Sequence, residues 1–393
     1  MHVQKLSLST FTQDGDPITI TGAMEGKHPH QTLVSPASRK PDTIHAASGL
    51  VAQNDGFALL THLNTTDPDP EEYFTPTLLR YRNASLAWST PLGGKTVTFQ
   101  MFPDTKFRAN KGSLDGDLAY GENGTYAAFF RAEYYGGTAA GHGGDSIVYV
   151  DDSGARIEGP YSQTQHCGHN FGLALSTSKD IPFPAICTSD SGDVSIASSL
   201  EGEMPAVGPK RVGEMFAAEA FGGTRGSYSG MARMGMKEEY TLVWVARPEG
   251  AADDHVTRHV EVAHLGSKDS VDAGPLLVTE LREGVDCFNA HVAGIDVVSV
   301  LVTWEENDIS ACKDFGGYGC EESKYTGTQF QFVDTSSGES SAFASTDVFV
   351  SGDIAKVGSK LCWPYVNFQW SSSKSVVDEE NIVKKMSFAC YNN

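Results

Sequence analysis

GSLDGDLAYGENGTYAAFFRAEYYGGTAAGHGGDSIVYVDDSGARIEGPYSQTQHCGHNFGLA, residues 112–174, carries the pattern on which the reading of the whole chain turns. Three short runs within it, Asp117–Tyr120, Tyr126–Ala132 and Ser146–Val150, are rich in Tyr, Phe, Val and Ala and are separated by glycine-rich turns. Each predicts a β-strand. At Phe171–Ala174 the stretch enters a second copy of its own opening, since NFGLA repeats the form of DGDLA.

That form recurs along the chain. A small or acidic residue, an aliphatic one and then alanine give SGLVA ending at Ala52, DGDLA at Ala119, NFGLA at Ala174, YSGMA at Ala232, NAHVA at Ala293 and SGDIA at Ala355. A polar turn and a strongly apolar run follow each: FALLTHL, YAAFFRA, FPAICTS, YTLVWVA, VSVLVTW and WPYVNFQW. Further alternating runs, PTLLRYR (76–82) and TVTFQMF (96–102), lie between anchors, and clusters such as DPDP, NDG, ENG, DDSG and TSSG mark turns. Only Pro209–Ala220 and Val376–Lys385 are compatible with helix, and both are short. The chain reads as all-β.

The anchors are spaced by roughly 55–67 residues, somewhat more than the about 40–50 of WD40 and kelch repeats. A four-stranded sheet of that size predicts a propeller blade, its Ala- and Gly-rich first strand on a crowded channel wall and its apolar second strand between blades. Six anchors predict one domain over residues 1–393 with six blades, starting near 45, 112, 166, 225, 287 and 350. After Ala355 only LCWPYVNFQW and VKKMSFACY remain as strands, so the last blade lacks one. HVQKLSLST at the N-terminus alternates suitably to supply it, closing the ring and removing exposed edges. A seventh blade requires a degenerate copy within residues 16–44, where no alanine anchor stands.

This blade pattern resembles the β-propeller superfamily across most of the chain, at the level of architecture. The Trp-Asp ending of WD40 blades, the repeated kelch Gly-Gly and the S-x-D-x-G-x-T/S-W box of sialidase-like propellers are missing; Ser189-Asp190-Ser191-Gly192-Asp193 only grazes the last. The resemblance implies a fold and brings no catalytic residue with it.

Charge narrows the partners. Fifty acidic against 29 basic residues give −21 over 393 residues, a field that repels phosphate backbones and bare anionic membranes. Nucleic acid is excluded as a partner, and no run of about 18 apolar residues offers a transmembrane helix. The N-terminal MHVQKLSLSTFTQ lacks the apolar centre of a signal peptide, which leaves room for a mature form with its leader removed. Seven cysteines are too few for a disulfide-built fold of this size. Cys312 and Cys320 bracket a loop that a disulfide could close, Cys167 and Cys187 lie on neighbouring predicted strands, and Cys187, Cys287 and Cys362 read as small core residues. Asn64-Thr-Thr, Asn83-Ala-Ser and Asn123-Gly-Thr match the glycosylation acceptor triplet. Together these favour a secreted or lumenal address.

Residues just ahead of the anchors should approach the axis: Gly49, Asp117, Gly172, Gly230, His291 and Asp353, with His45, Asp115 and His169 slightly upstream. Asp117, His291 and Asp353, with Asp145 in reach, are candidate ligands for a divalent cation, Ca or Zn. The competing reading is that Asp opens strands because its side chain bonds the local backbone. Gly141-His142-Gly143-Gly144-Asp145 joins two predicted strands, and its glycines allow positive φ and close ligand approach. His142 there could be a base or a ligand. His166-Cys167-Gly168-His169 lacks the second pair of a structural zinc site. Arg131, Tyr134 and Tyr135, with a histidine, supply the parts for removing a proton beside a sugar carboxylate. His255, His259 and His264 read as surface and edge histidines on an alternating strand. No GxSxG, P-loop, dinucleotide fingerprint or EF-hand loop occurs.

The functional expectation is a ligand-binding propeller with its site over one channel mouth. As an enzyme it would be a metal-assisted or His/Tyr-based lyase or hydrolase acting on a carbohydrate or other small polar molecule. Its catalytic candidates are His142, His166, His169, Tyr135 and Arg131. The alternative is a non-catalytic scaffold presenting loops, above all Glu305–Tyr325, to a protein or glycan.

Overall fold

A computed structural model describes residues 2–7, 13–19, 47–63, 75–94, 106–109, 116–135, 137, 140, 143–159, 172–188, 193–196, 210–214, 230–235, 237–246, 257–267, 270–312, 323–341, 344–350, 353–365 and 387–392. All assigned elements are strands. β1 (His2–Val3) and β2 (Ile18–Thr19) pair antiparallel. The first sheet is a meander of β3 (Ala47–Gln53), β4 (Gly56–Leu63), β5 (Thr75–Arg82) and β6 (Ser85–Pro91). In the second, β7 (Lys106–Ala109) and β8 (Gly116–Tyr120) both pair β9 (Thr125–Tyr135), and β10 (Gly143–Asp151) and β11 (Arg156–Ile157) follow. The third runs β12 (Gly172–Leu175), β13 (Ala185–Thr188), β14 (Asp193–Ile196), β15 (Lys210–Glu214). The fourth runs β16 (Met231–Arg233), β17 (Tyr240–Ala246), β18 (His259–Ser267), β19 (Ser270–Leu277). The fifth runs β20 (Val285–Gly294), β21 (Ser299–Asp308), β22 (Lys324–Asp334), β23 (Ala344–Thr346). A last sheet has three strands, β24 (Ala355–Val357), β25 (Lys360–Tyr365) and β26 (Ser387–Asn392).

The anchors fall where the repeat puts them. Ala52, Ala119, Ala174, Ala232, Ala293 and Ala355 lie on β3, β8, β12, β16, β20 and β24, and the apolar runs that follow contribute to β4, β9, β13, β17, β21 and β25, the last of them through Trp363–Tyr365 with the rest of that run outside the described residues. Among the described residues, however, five sheets reach four strands or more, so the structure has five blades where six or seven were expected. The anchor motif counts first strands, and a first strand does not guarantee a finished blade. Among the described residues the last sheet has three strands, and His2 and Val3 of the N-terminal run pair Thr19 and Ile18. A local hairpin costs less loop entropy than a pairing with the far end of the chain. Gly15 turns the chain at φ +80°, and Lys5 and Asp14 meet at 2.6 Å beside the turn. Val3 and Ile18 then cover Phe57, Leu59, Leu79 and Tyr81 on the first sheet. Pro209–Ala220 is likewise corrected, because Lys210–Glu214 is strand β15; Val376–Lys385 and TVTFQMF lie outside the described residues.

The chain forms two compact units, Met1–Pro29 with Lys40–Cys187 and Ala197–Pro209, and His30–Arg39 with Thr188–Ile196 and Lys210–Asn393. In the first, Leu60 and Leu78 pack against Leu118, Tyr126, Phe130 and Val148 of the second sheet. The other face of that sheet, Phe129, Ile147 and Tyr149, packs against Leu175, Phe183 and Ala185. In the second unit, Val300, Val302 and Trp304 of β21 face Val243, Val245 and Val260, whereas Leu301 faces Leu361 and Trp363. Sheets stacked through both faces of their second strands are the packing expected of blades.

First strands crowd one another, and this explains their composition. A Cβ on Gly49 of β3 would stand 2.7 Å from Leu118 Cβ and 2.8 Å from Leu118 N on β8. A Cβ on Gly294 of β20 would stand 2.4 Å from the Arg233 carbonyl oxygen on β16. Only glycine fits where two backbones come this close.

Candidate functional site

Alternation along β21 puts Leu301, Thr303 and Glu305 on the face that packs toward the last sheet. A carboxyl at the third of these positions enters apolar surroundings, and Glu305 is only 3% exposed. On β20 the register slips between Phe288 and His291: Phe288 opposes Glu305, and His291 opposes Thr303. Without that extra residue His291 would oppose Val302 and point to the other face. The slip is a β-bulge, a device that re-aims side chains, and Asn289 within it takes φ +49°, a left-handed conformation that Asn tolerates better than most residues.

The bulge assembles a small polar cluster. Asn289 Nδ2 donates to Glu305 Oε1 at 2.7 Å and to the Val350 carbonyl at 2.9 Å, while its Oδ1 lies 3.1 Å from His291 Nε2. Burial pushes the Glu305 carboxyl up to about 8, against the bonds from Asn289 and the Val350 backbone N–H that favour its anion. Burial lowers His291 to about 4, opposed by its bond to the Val350 carbonyl. At neutral pH the acid therefore keeps its proton and the imidazole is neutral. Tyr325 stands close by, its hydroxyl 2.8 Å from Thr328 Oγ1 and its ring stacked on Phe349 with centroids 4.4 Å apart. Burial, with the charges of Glu305 and Asp347, pushes its phenol to about 12. Thr303 Oγ1, cross-strand to His291, is buried without a hydrogen-bond partner among the described residues. Buried hydroxyls are normally met by protein, water or ligand.

Asp353 lies just ahead of β24. Surrounding atoms raise its carboxyl above the ordinary range, yet its side chain is open to solvent.

The other residues singled out by sequence fare differently. Asp117 Oδ1 accepts the Leu118 backbone N–H at 2.7 Å, the local backbone bond of the competing reading. Asp145 is fully buried on β10 and sits opposite Arg131 of β9 in the register, and its carbonyl accepts Tyr134 Oη at 2.8 Å. Burial raises the Tyr134 phenol well above its ordinary value. Tyr135 pairs Lys106 through the β9–β7 ladder. Gly143 and Gly144 are not loop residues of positive φ but lie within β10. His142, His166, His169, Cys167, His45, Asp115 and His255 lie outside the described residues. Among the described residues, no three His, Cys, Asp or Glu side chains gather to hold a metal ion.

Three further expectations are corrected. His259 is neither surface nor edge: β18 is an interior strand, and the buried ring places Nε2 2.6 Å from Glu261 Oε1. The Glu305–Tyr325 loop is shorter than read, since Glu305–Asp308 end β21 and Lys324 opens β22. Cys362 is no plain core thiol but bridges to Cys390 between β25 and β26. Cys187 and Cys312 are also in disulfides, with partners outside the described residues, so the expected Cys167 and Cys320 closures rest there. Cys287 remains a buried free thiol, pushed to about 12 by burial.

Glu305 and Asn289 were missed by sequence reasoning. The available signal was the phase of VSVLVTWEEN, in which Glu305 continues the buried register of Leu301 and Thr303.

No protein-family model matches the chain, and no curated protein matches it by sequence. In backbone it is similar to an ulvan lyase, a polysaccharide lyase, bound to -[GlcA(1-4)Rha3S]-, at 10% identity over 81% of this chain and 78% of that one, TM-score 0.40. It is similar to a mannose phosphorylase from Leishmania mexicana in complex with phosphate ion, at 8% identity over 81% and 78%, TM-score 0.33. It is also similar to BamB from Moraxella catarrhalis, at 11% identity over 84% and 74%, TM-score 0.34. Likenesses this distant carry neither residue roles nor activity to the chain. Its own sheet geometry, five blade-type meanders, makes this an all-β protein of β-propeller arrangement.

Proposed function

We propose that this protein binds a carbohydrate or another small polar molecule and delivers a proton to it, with Glu305 as general acid. The observation that carries the reading is a carboxyl raised to about 8 that shares Asn289 with a neutral histidine. A general acid works best when its pKa lies near the working pH. Titratable neighbours whose surroundings push their pKa values apart are a recurrent acid–base arrangement.

The parts have definable roles. Protonated Glu305 gives its proton to an oxygen of the bound molecule. Asn289 Nδ2–H and the Val350 N–H then hold the carboxylate left behind, which limits the cost of a buried charge. His291, uncharged, keeps Asn289 in place. Cys187, Cys312, Cys362 and Cys390, all in disulfides, support an oxidising, secreted or lumenal address.

The test is turnover of a panel of neutral and uronic-acid polysaccharides, read as new reducing ends and as unsaturated products. The wild type should cleave a member of the panel, with a rate that falls as pH rises through about 8. Glu305→Gln, folded by circular dichroism, should lose about 10²–10⁴-fold in rate. Binding without turnover, or turnover unchanged in Glu305→Gln, would favour the scaffold reading and overturn this one.

A further inference from the structure

We propose that Asn83 is a site of N-linked glycosylation. Asn83-Ala84-Ser85 has the acceptor form, and the structure puts it where an acceptor must be. Arg82 pairs Ser85, so Asn83 and Ala84 are the two central residues of the hairpin turn joining β5 and β6. Their φ values, +46° and +66°, are those of the tight turn type that favours asparagine first. The Asn83 backbone N–H donates to the Asp55 carbonyl at 2.8 Å, which pins the turn, and Asn83, Ala84 and Ser85 are all exposed. The triplet therefore stands at the tip of an ordered hairpin with its side chains toward solvent.

An independent observation concerns the compartment. Four described cysteines, Cys187, Cys312, Cys362 and Cys390, are in disulfides, the state expected of a chain that passes through an oxidising lumen. Asparagine-linked transfer belongs to such secretory routes.

The second described triplet is a useful contrast. Asn123-Gly-Thr is also exposed, but Asn123 Nδ2 already donates to Asp180 Oδ1 across to the loop ahead of β13. A saccharide on that nitrogen would break the bond, whereas one on Asn83 breaks none that the structure shows. Asn64 lies outside the described residues.

In the transfer, Asn83 Nδ2 attacks the anomeric carbon of an oligosaccharide carried on a polyprenyl pyrophosphate. The nitrogen–carbon bond forms, and the bond from that carbon to the pyrophosphate oxygen breaks with its electron pair leaving on the pyrophosphate. One amide proton passes to a base of the transferase. The attached saccharide would stand at the start of β6, the last strand of its sheet, where Leu86 is 52% exposed. Among the described residues β6 has no further strand beside it, and a bulky polar group there would hinder pairing of that edge with another chain.

The test expresses the full chain in a eukaryotic secretory host and maps glycopeptides from the secreted and membrane pools, with enzymatic deglycosylation in heavy-oxygen water to mark the modified asparagine. Asn83 should be marked. Ser85→Ala should abolish the mark while leaving Asn83 in its left-handed turn; Asn83→Gln should abolish it too but strains the hairpin, so the serine variant is the clean arm. An unmarked Asn83 peptide, a glycan confined to Asn123, or a mark at Asn83 that survives Ser85→Ala overturns the proposal.

Discussion

Glu305→Gln should make the protein relatively more stable as pH rises, by an amount that follows from the position of its carboxyl. Between the ordinary carboxyl value of 4.5 and about 8, the folded chain holds a proton that the unfolded chain has released. Stability therefore falls as pH rises through that window. At about 1.36 kcal/mol per unit, ionising Glu305 in place costs about 5 kcal/mol, of which about 4 kcal/mol falls between pH 5 and pH 9. Glutamine keeps the shape and the bond from Asn289 but cannot ionise. His291 acts with the opposite sign, since its lowered value removes stability as pH falls from 6.5 toward about 4. It is present in both chains, as are Tyr325 and Asp347, so their effects largely cancel in the difference. Urea unfolding of both proteins at a series of pH values gives that difference directly. It should grow in favour of the variant by about 4 kcal/mol from pH 5 to pH 9. A flat difference would refute the claim that burial holds this proton.

Two further outcomes test the frame around the site. Cys362 and Cys390 are separated by 28 residues, so Cys362→Ser should cost about 3–4 kcal/mol in the loop-entropy account, read as a lowered denaturant midpoint; a change below about 1 kcal/mol would show the last sheet already ordered without the bridge. Gly49→Val should destabilise by about 1–3 kcal/mol or more, because the clash is with the Leu118 backbone as well as its Cβ. Thermal unfolding of that variant at the wild-type midpoint would mean the first strands are not pressed together.

Much of the architecture was legible in the letters because a repeat reports the same physical constraint several times. Two of these Ala/Gly-rich strands, those of Gly49 and Gly294, have a neighbour within backbone contact. Blade number was not legible, because completion depends on which strand finds which partner, and the alternation of HVQKLSLST says nothing about that. The site was hidden for a related reason. His291 was visible as a residue near an anchor, but its partner Glu305 comes from the next strand, and a one-residue bulge at Asn289 decides whether the two share a face. A bulge leaves little trace in a hydrophobic pattern. His259 misled in the other direction: its strand alternates as an edge strand would, and only the sheet order shows it to be interior.

The most direct measurement is the titration of the Glu305 carboxyl itself, followed by carbon NMR of carboxyl-labelled protein and assigned by the signal that vanishes in Glu305→Gln. The account predicts a midpoint near the structural value of about 8. A midpoint near the ordinary 4.5 would mean the group is a carboxylate at neutral pH, and the general-acid role would fall with it.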